Sequence, residues 1–267
     1  MKIKYIIDAH THIGFWPTLR KTETNLVSSS KNNGISYSLF SFDGSEFKDS
    51  NTFFRDVKVM DALKKSLSFI KRTPKGFGML IWIRPNKEHN LKELENFIIA
   101  HRSIIHGIKF HPALSHLKIT SKKVLPYILL AQKYNLPVLV HTALDKYSSI
   151  FYLEDIASEF KDVNFVAAHM ELKSDHTFTI AAMKKYSNIY CDTAWVDSSI
   201  IKLLRKEHLI DRVMFGTDNP IDGEETLDNP IYQAYLKNKM KCNKKEYQML
   251  MYKNAQKIYN VPDSELK

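Results

Sequence analysis

The stretch Ile6-Ile7-Asp8-Ala9-His10-Thr11-His12-Ile13-Gly14 decides how the rest of the chain is read. An apolar run from Tyr5 to Ile7 leads straight into two histidines one residue apart. Successive side chains of a β-strand alternate faces, so a strand here points His10 and His12 the same way. Two imidazoles on one face at the end of a buried strand make half of a metal site. Alone, such a pair is equally well read as hydrogen-bonded histidines near a strand end, since histidine is intermediate in burial. The remainder of the chain separates the two.

Outward from this first strand the pattern alternates. A helix is expected over 22–33, stopped by Gly34. A strand over 35–42 and a loop over 43–55 follow. The helix expected over 56–71 carries Val57, Met60, Leu63, Leu67 and Ile70 as an apolar stripe, and Thr73-Pro74-Lys75-Gly76 breaks it. Strands are then expected over 78–83, 107–112, 137–142, 163–169, 188–192 and 212–217. Between them come helices over 91–102, from about 122 with Pro126 delaying its regular start, and over 151–160, 176–186 and 198–208. A long loop leads to a last helix over 244–259.

The strands are short, nearly continuous apolar runs, as in sheets covered on both faces. Eight of them alternating with helices in 267 residues predict a (β/α)8 TIM barrel, one α/β domain spanning 1–267. A doubly wound open sheet would carry a glycine-rich phosphate turn after the first strand, and the chain has His-Thr-His there.

Composition agrees with an ordinary globular protein, 44% hydrophobic and 25% charged. No apolar run approaches the ~20 residues that cross a bilayer, and Asp8, His10 and His12 interrupt what could have been a signal peptide. Two cysteines, Cys191 and Cys242, give no disulfide framework, so a reducing cytoplasm is expected. The net charge of +10 comes from scattered lysines with no block longer than pairs such as Lys64-Lys65 and Lys122-Lys123. A solvated surface explains this better than a nucleic-acid footprint.

The polar residues at the strand ends then form a constellation. His10 and His12 close strand one, Lys109 and His111 strand four, His141 strand five and His169 strand six, and Asp218 lies just beyond strand eight. In a barrel these C-terminal ends meet at one mouth, where active sites are built. Imidazoles with a carboxylate suit zinc, and also iron, manganese or nickel. Arg84, at the end of strand three, can reach a substrate anion with a forked donor. Phe15, Trp16, Phe42 and Trp195 lie near the expected mouth, where they could accommodate a flat or apolar substrate portion.

With these residues in view the chain resembles the amidohydrolase superfamily, in the amidohydrolase-related branch that also contains decarboxylases. The matching pieces are Asp8-Ala9-His10-Thr11-His12-Ile13-Gly14, Gly107-Ile108-Lys109-Phe110-His111-Pro112, Leu136-Pro137-Val138-Leu139-Val140-His141-Thr142, Phe165-Val166-Ala167-Ala168-His169, Phe215-Gly216-Thr217-Asp218-Asn219-Pro220 and the closing Asn254-Ala255-Gln256-Lys257-Ile258-Tyr259. The resemblance implies that His10, His12, His141 and Asp218 bind one or two divalent ions, zinc first among them. It implies that His169 ligates a second ion or helps protonate the reacting group. Lys109 is either a carboxylated bridge between two metals or a residue facing substrate. The run His169-Met170-Glu171-Leu172 departs from the branch, whose members often carry a glycine soon after this histidine.

The expected activity is therefore hydrolysis of an amide, ester or lactone in a small, anionic molecule. Asp218, His169 and Lys109 are the expected catalytic residues, and Arg84, His111 and Trp16 the expected substrate contacts. A non-oxidative decarboxylase of the same branch is the alternative, and a TatD-like metal-dependent nuclease a more distant one. The expected partners are a small-molecule substrate and at most a second copy of the chain, with no nucleic acid and no membrane.

Overall fold

A computed structural model of the chain describes residues 3–14, 22–43, 57–73, 75–86 and 90–266. Eight strands lie in one sheet in chain order, each parallel to the next: β1 (Ile7–Gly14), β2 (Tyr37–Asp43), β3 (Phe77–Ile83), β4 (Ile105–Phe110), β5 (Val138–Ala143), β6 (Phe165–Leu172), β7 (Ile189–Asp192) and β8 (Val213–Met214). Helices fill the crossovers: α1 (Thr22–Asn32), α2 (Val59–Arg72), α3 (Leu91–Ala100), the short α4 (Pro112–Ser115) with α5 (Leu125–Lys133), α6 (Ile150–Glu159), α7 (Thr177–Lys185) and α8 (Ile200–Lys206). The sheet curls until the segment after β8 bonds back to β1. Ala9 N donates to Phe215 O at 2.9 Å, Asp218 N to His10 O at 2.8 Å, and His12 N to Asn219 O at 2.8 Å. This is the TIM-barrel fold that the alternation predicts.

The strands' alternate residues build two apolar layers. Ile7, Leu39, Leu80, Leu139, Val166 and Met214 form the inner cluster, closed below by Tyr252, Ala255, Ile258 and Tyr259. Their neighbours Phe40, Ile81, Ile108, Val140, Ala167 and Phe215 pack outward under the helices. One layer higher, the inward positions cease to be apolar and become the cavity. On β1 this transition coincides with a register shift between Asp8 and Thr11. Ile7 and Ala9 face the inner cluster, whereas His10 and His12 face the cavity above it. A bulge that re-aims side chains is a recurrent device beside active sites.

Two glycines lie where strands close on the site. At Gly216 an added Cβ would lie 3.1 Å from the Cβ atoms of both Asp192 and His10, so a larger residue would press on the two side chains that meet there. Gly14 ends β1 at φ +119°, with an added Cβ 2.2 Å from Asp43 O.

The structure departs from expectation mainly after β8. The expected loop contains a 3-10 turn, Gly223–Asp228, and helix α9 (Pro230–Leu236). The Asn229 side chain caps α9 by accepting from Ile231 N, with Pro230 in its first turn, a start signal legible in Asn229-Pro230. β8 keeps only two residues because Phe215 N donates to Leu250 O at 2.9 Å. Leu250 belongs to a π-helical segment, Met249–Lys253, between α10 (Lys244–Gln248) and α11 (Asn254–Ile258). There the widened turn offers the strand a carbonyl. Asn254 then fastens this helix to the barrel by donating to Ile210 O and Val213 O, each at 2.8 Å. Of the loop expected over 43–55, everything from residue 44 lies outside the described residues. No described helix is long and apolar enough to cross a membrane.

Candidate active site

At the C-terminal mouth of the barrel is a cavity of about 520 Å³. His10, His12, Lys109, His111, His141, His169 and Asp218, picked from five separate stretches of the sequence, all line it. Trp82, Lys173 and Trp195 complete its polar and aromatic lining. The side of the cavity under β1, β6, β7 and β8 is a hydrogen-bonded cluster. His12 Nε2 is 2.9 Å from Asp218 Oδ1 and 3.2 Å from His10 Nε2. His10 Nε2 is in turn 3.3 Å from Asp218 Oδ1 and 3.0 Å from Lys109 Nζ. Ligand atoms of His10, His169 and Asp218 all lie within 4.8 Å of one another.

Each group in the cluster is held from behind. Asp192 Oδ2 takes the His10 Nδ1–H at 2.9 Å, while its Oδ1 accepts from His169 N at 3.0 Å and Ala194 N at 3.1 Å. The His169 Nδ1–H reaches the Ala194 carbonyl at 3.2 Å, and Ser41 Oγ lies 3.0 Å from His12 Nδ1. Trp195 Nε1 donates to Asp218 Oδ2 at 3.1 Å, which leaves Oδ1 to the histidines. His169, Trp195 and Asp218 all have left-handed backbones, at φ 64°, 60° and 63°. For residues with a Cβ this costs on the order of 1–3 kcal/mol each, a strain that concentrates at functional sites.

The donor set fits a divalent ion. Three polar atoms crowd His10 Nε2, and no single ring lone pair serves them all. A cation held by His10, His12 and Asp218 would satisfy the two imidazole nitrogens and the carboxylate oxygen together. The charge states agree. Burial, reinforced by the nearby Lys109 ammonium, lowers His10 to about 4, so its ring is neutral at pH 7. Burial would raise Asp218, but the imidazoles of His10, His12 and His169 outweigh it and hold the carboxyl well below the usual range. Burial brings Lys109 down to about 8, against the opposing pull of Asp218, Asp192 and Asp43.

The opposite side, under β3, β4 and β5, is built by stacking. The Trp82 and His111 rings are parallel within 7° at 5.7 Å, and those of His111 and His141 within 12° at 3.8 Å. His141 meets His169 edge-on at 4.9 Å but lies outside the tight group of His10, His169 and Asp218. Burial holds His111 and His141 well below the ordinary imidazole range, with neighbouring charges adding to the shift.

One expected substrate contact, Arg84, is not among the described residues that line the cavity. Arg84 is buried, and its Nη2 donates to the Val57 carbonyl just ahead of α2. Trp16 lies outside the described residues, as does Phe15. Sequence reasoning missed Asp192, although it closes a strand as the other residues do. Trp82, within an apolar strand, and Lys173, beyond β6, carry no comparable signal.

A profile described as amidohydrolase matches residues 7–261. No curated protein sequence matches the chain. Among solved structures, 5-carboxyvanillate decarboxylase from Sphingomonas paucimobilis superposes with a TM-score of 0.69 at 14% identity, covering 97% of this chain and 100% of that one. A protein from Acinetobacter baumannii described as a probable 2-pyrone-4,6-dicarboxylic acid hydrolase, with citric acid bound, gives 0.65 at 12% identity over 96% and 99%. The 5-carboxyvanillate decarboxylase of Novosphingobium aromaticivorans, complexed with manganese and a nitrobenzoic acid, gives 0.66 at 11% identity over 96% of each chain. At such identities the likeness is one of fold.

Proposed function

This chain belongs to the amidohydrolase family, and from that premise we propose that it is a metal-dependent hydrolase opening an amide, ester or lactone bond in a small, anionic molecule. The observation that carries the reading is the Asp218 carboxylate. One oxygen is pinned by Trp195 while the other sits among His10 and His12. His10, His12, Asp218 and His169 would hold the ion, with His141 within reach of a second. Zinc suits their nitrogen and oxygen donors best. When bound, the ion acidifies a water molecule and polarises the carbonyl.

The chain's own groups do the rest. Asp218 accepts a proton from water as its oxygen adds to the carbonyl carbon, then delivers that proton to the departing nitrogen or oxygen. His169, with its Nδ1–H committed to Ala194, keeps a lone pair on Nε2 for a proton or an ion. Among the described residues Lys109 and Lys173 give the cavity two cationic side chains against one carboxylate, that of Asp218, which favours an anionic substrate. The scattered surface lysines are partly spent on ion pairs such as Lys184–Glu207 and Lys133–Glu95, which supports a reading without nucleic acid.

The stacked wall favours a second reading, decarboxylation of a flat carboxylated ring. One assay separates the two. The metal-loaded protein is offered lactones, esters, amides and carboxylated aromatics in H₂¹⁸O, and the products are weighed. Heavy oxygen in a new carboxylate supports hydrolysis. Carbon dioxide release without it supports decarboxylation and overturns the first reading.

A further inference from the structure

We infer that the hydrogen bonds behind three of the cavity's rings sort them into two ion-binding lone pairs, on His10 and His169, and one neutral donor. The donor is His111, whose Nε2–H binds an oxygen of the substrate. The argument is one of proton bookkeeping. A neutral imidazole has one N–H and one lone pair, and whichever group its first nitrogen meets decides what the second can do. His10 meets a carboxylate, Asp192, and His169 meets a carbonyl, Ala194. Both partners only accept, so both rings carry the proton on Nδ1 and present a lone pair at Nε2.

His111 is wired in the opposite sense. Its Nδ1 faces the backbone N–H of Leu114 at 3.3 Å, and a backbone N–H can only donate. The lone pair is therefore on Nδ1 and the proton on Nε2, which has no hydrogen-bond partner among the described residues. Such a nitrogen repels a cation, so this ring stands outside the ion-binding set although it lines the same cavity.

Stacking fixes where the donor can point. The His111 ring is parallel to Trp82 of β3 and to His141 of β5. Tilting the ring would break both contacts, and flipping it would set the Cδ2–H, in place of the Nδ1 lone pair, against the Leu114 N–H. A donor that is neutral, prepositioned and unpartnered in a cavity costs little reorganisation when it meets a carbonyl or carboxylate oxygen. That the oxygen belongs to a substrate rests on the proposed function. The assignment of the protons does not.

The test has two arms. In protein labelled with ¹⁵N-histidine, as purified and again after zinc loading, two-bond ¹H–¹⁵N correlations report the tautomer of each ring, with His111→Phe identifying the His111 signals. The expected pattern is an unprotonated Nδ1 and protonated Nε2 for His111, and the reverse for His10 and His169. A proton on His111 Nδ1, or an imidazolium at pH 7, overturns the inference. In the second arm His111→Phe, which keeps a flat ring without nitrogens, is assayed for metal content and kinetics. Retained metal with kcat/KM down by ~10 to ~10³-fold supports the donor. Metal lost in step with activity, or a kinetic loss below about tenfold, overturns it. If the tautomers are as expected but no substrate turns over, the fault lies with the proposed activity and not with the wiring of the ring.

Discussion

The two sides of the cavity are made from the same residue type by different forces. On the β1–β6–β7–β8 side, His10, His12 and His169 are each bonded from behind by Asp192, Ser41 or Ala194. On the β3–β4–β5 side, Trp82, His111 and His141 lie face to face. Directional hydrogen bonds fix which nitrogen points inward, as a metal ligand needs. Parallel stacking fixes a plane, as a surface for a flat or apolar ligand needs. The two sides should therefore fail differently when they are cut.

The deepest cut is His10→Ala with His12→Ala. The double variant should lose most of its metal and all measurable turnover, checked by elemental analysis of the purified protein. Full occupancy would show that the ion, if there is one, binds elsewhere. Next comes Asp218→Asn, which keeps the shape and an oxygen ligand but removes the base. A general acid–base group is worth ~10²–10⁴-fold, so kcat should fall by at least the lower figure while metal remains. A metal-loaded variant within a few-fold of wild type would pass the role to His169.

Asp192→Asn probes the hydrogen-bonded side from behind. An amide in place of the carboxylate can donate to His10 Nδ1 and drive the proton to Nε2, where it blocks the ion. Metal affinity should drop about 10–100-fold with the fold intact, read by competition with a chelator and by circular dichroism. Trp82→Leu is the matching cut on the stacked side. The lost ring contact is worth about 0.5–1.5 kcal/mol, so KM should rise about 2- to 10-fold at unchanged metal content. Metal loss in this variant would erase the distinction between the two sides.

A last effect, on stability and not on activity, comes from a histidine at the closed end of the barrel. His106 is buried between Tyr37 Oη, 2.9 Å from Nε2, and the Tyr259 carbonyl, 2.7 Å from Nδ1. Burial lowers it to about 4. Between that value and the ~6.5 of an unfolded histidine, the unfolded chain takes up a proton that the fold refuses. Stability is therefore full above about pH 6.5 and falls as the pH drops, by at most about 1.4 kcal/mol per pH unit for this group. Denaturant titrations of the metal-free protein at pH 7 and pH 5 should show the loss, and His106→Gln should flatten it. An unchanged slope in the variant would assign the loss to other groups.

What the sequence by itself determined is the barrel and the membership of its mouth. Strand and helix periods are local, and strands running parallel in chain order bring their C-terminal ends together. Residues as distant as His10 and Asp218 could therefore be placed at one site by counting alone. The same rule reaches Asp192, at the end of β7. Only the tertiary structure decided that Arg84 bonds the Val57 carbonyl, that Trp82 joins His111 and His141 in a stack, and which groups stand behind the rings of His10, His111 and His169. Those outcomes depend on partners brought from elsewhere in the chain, such as Asp192 behind His10, 182 residues away. No period in the sequence records which donor or acceptor will stand behind a side chain once the barrel has closed.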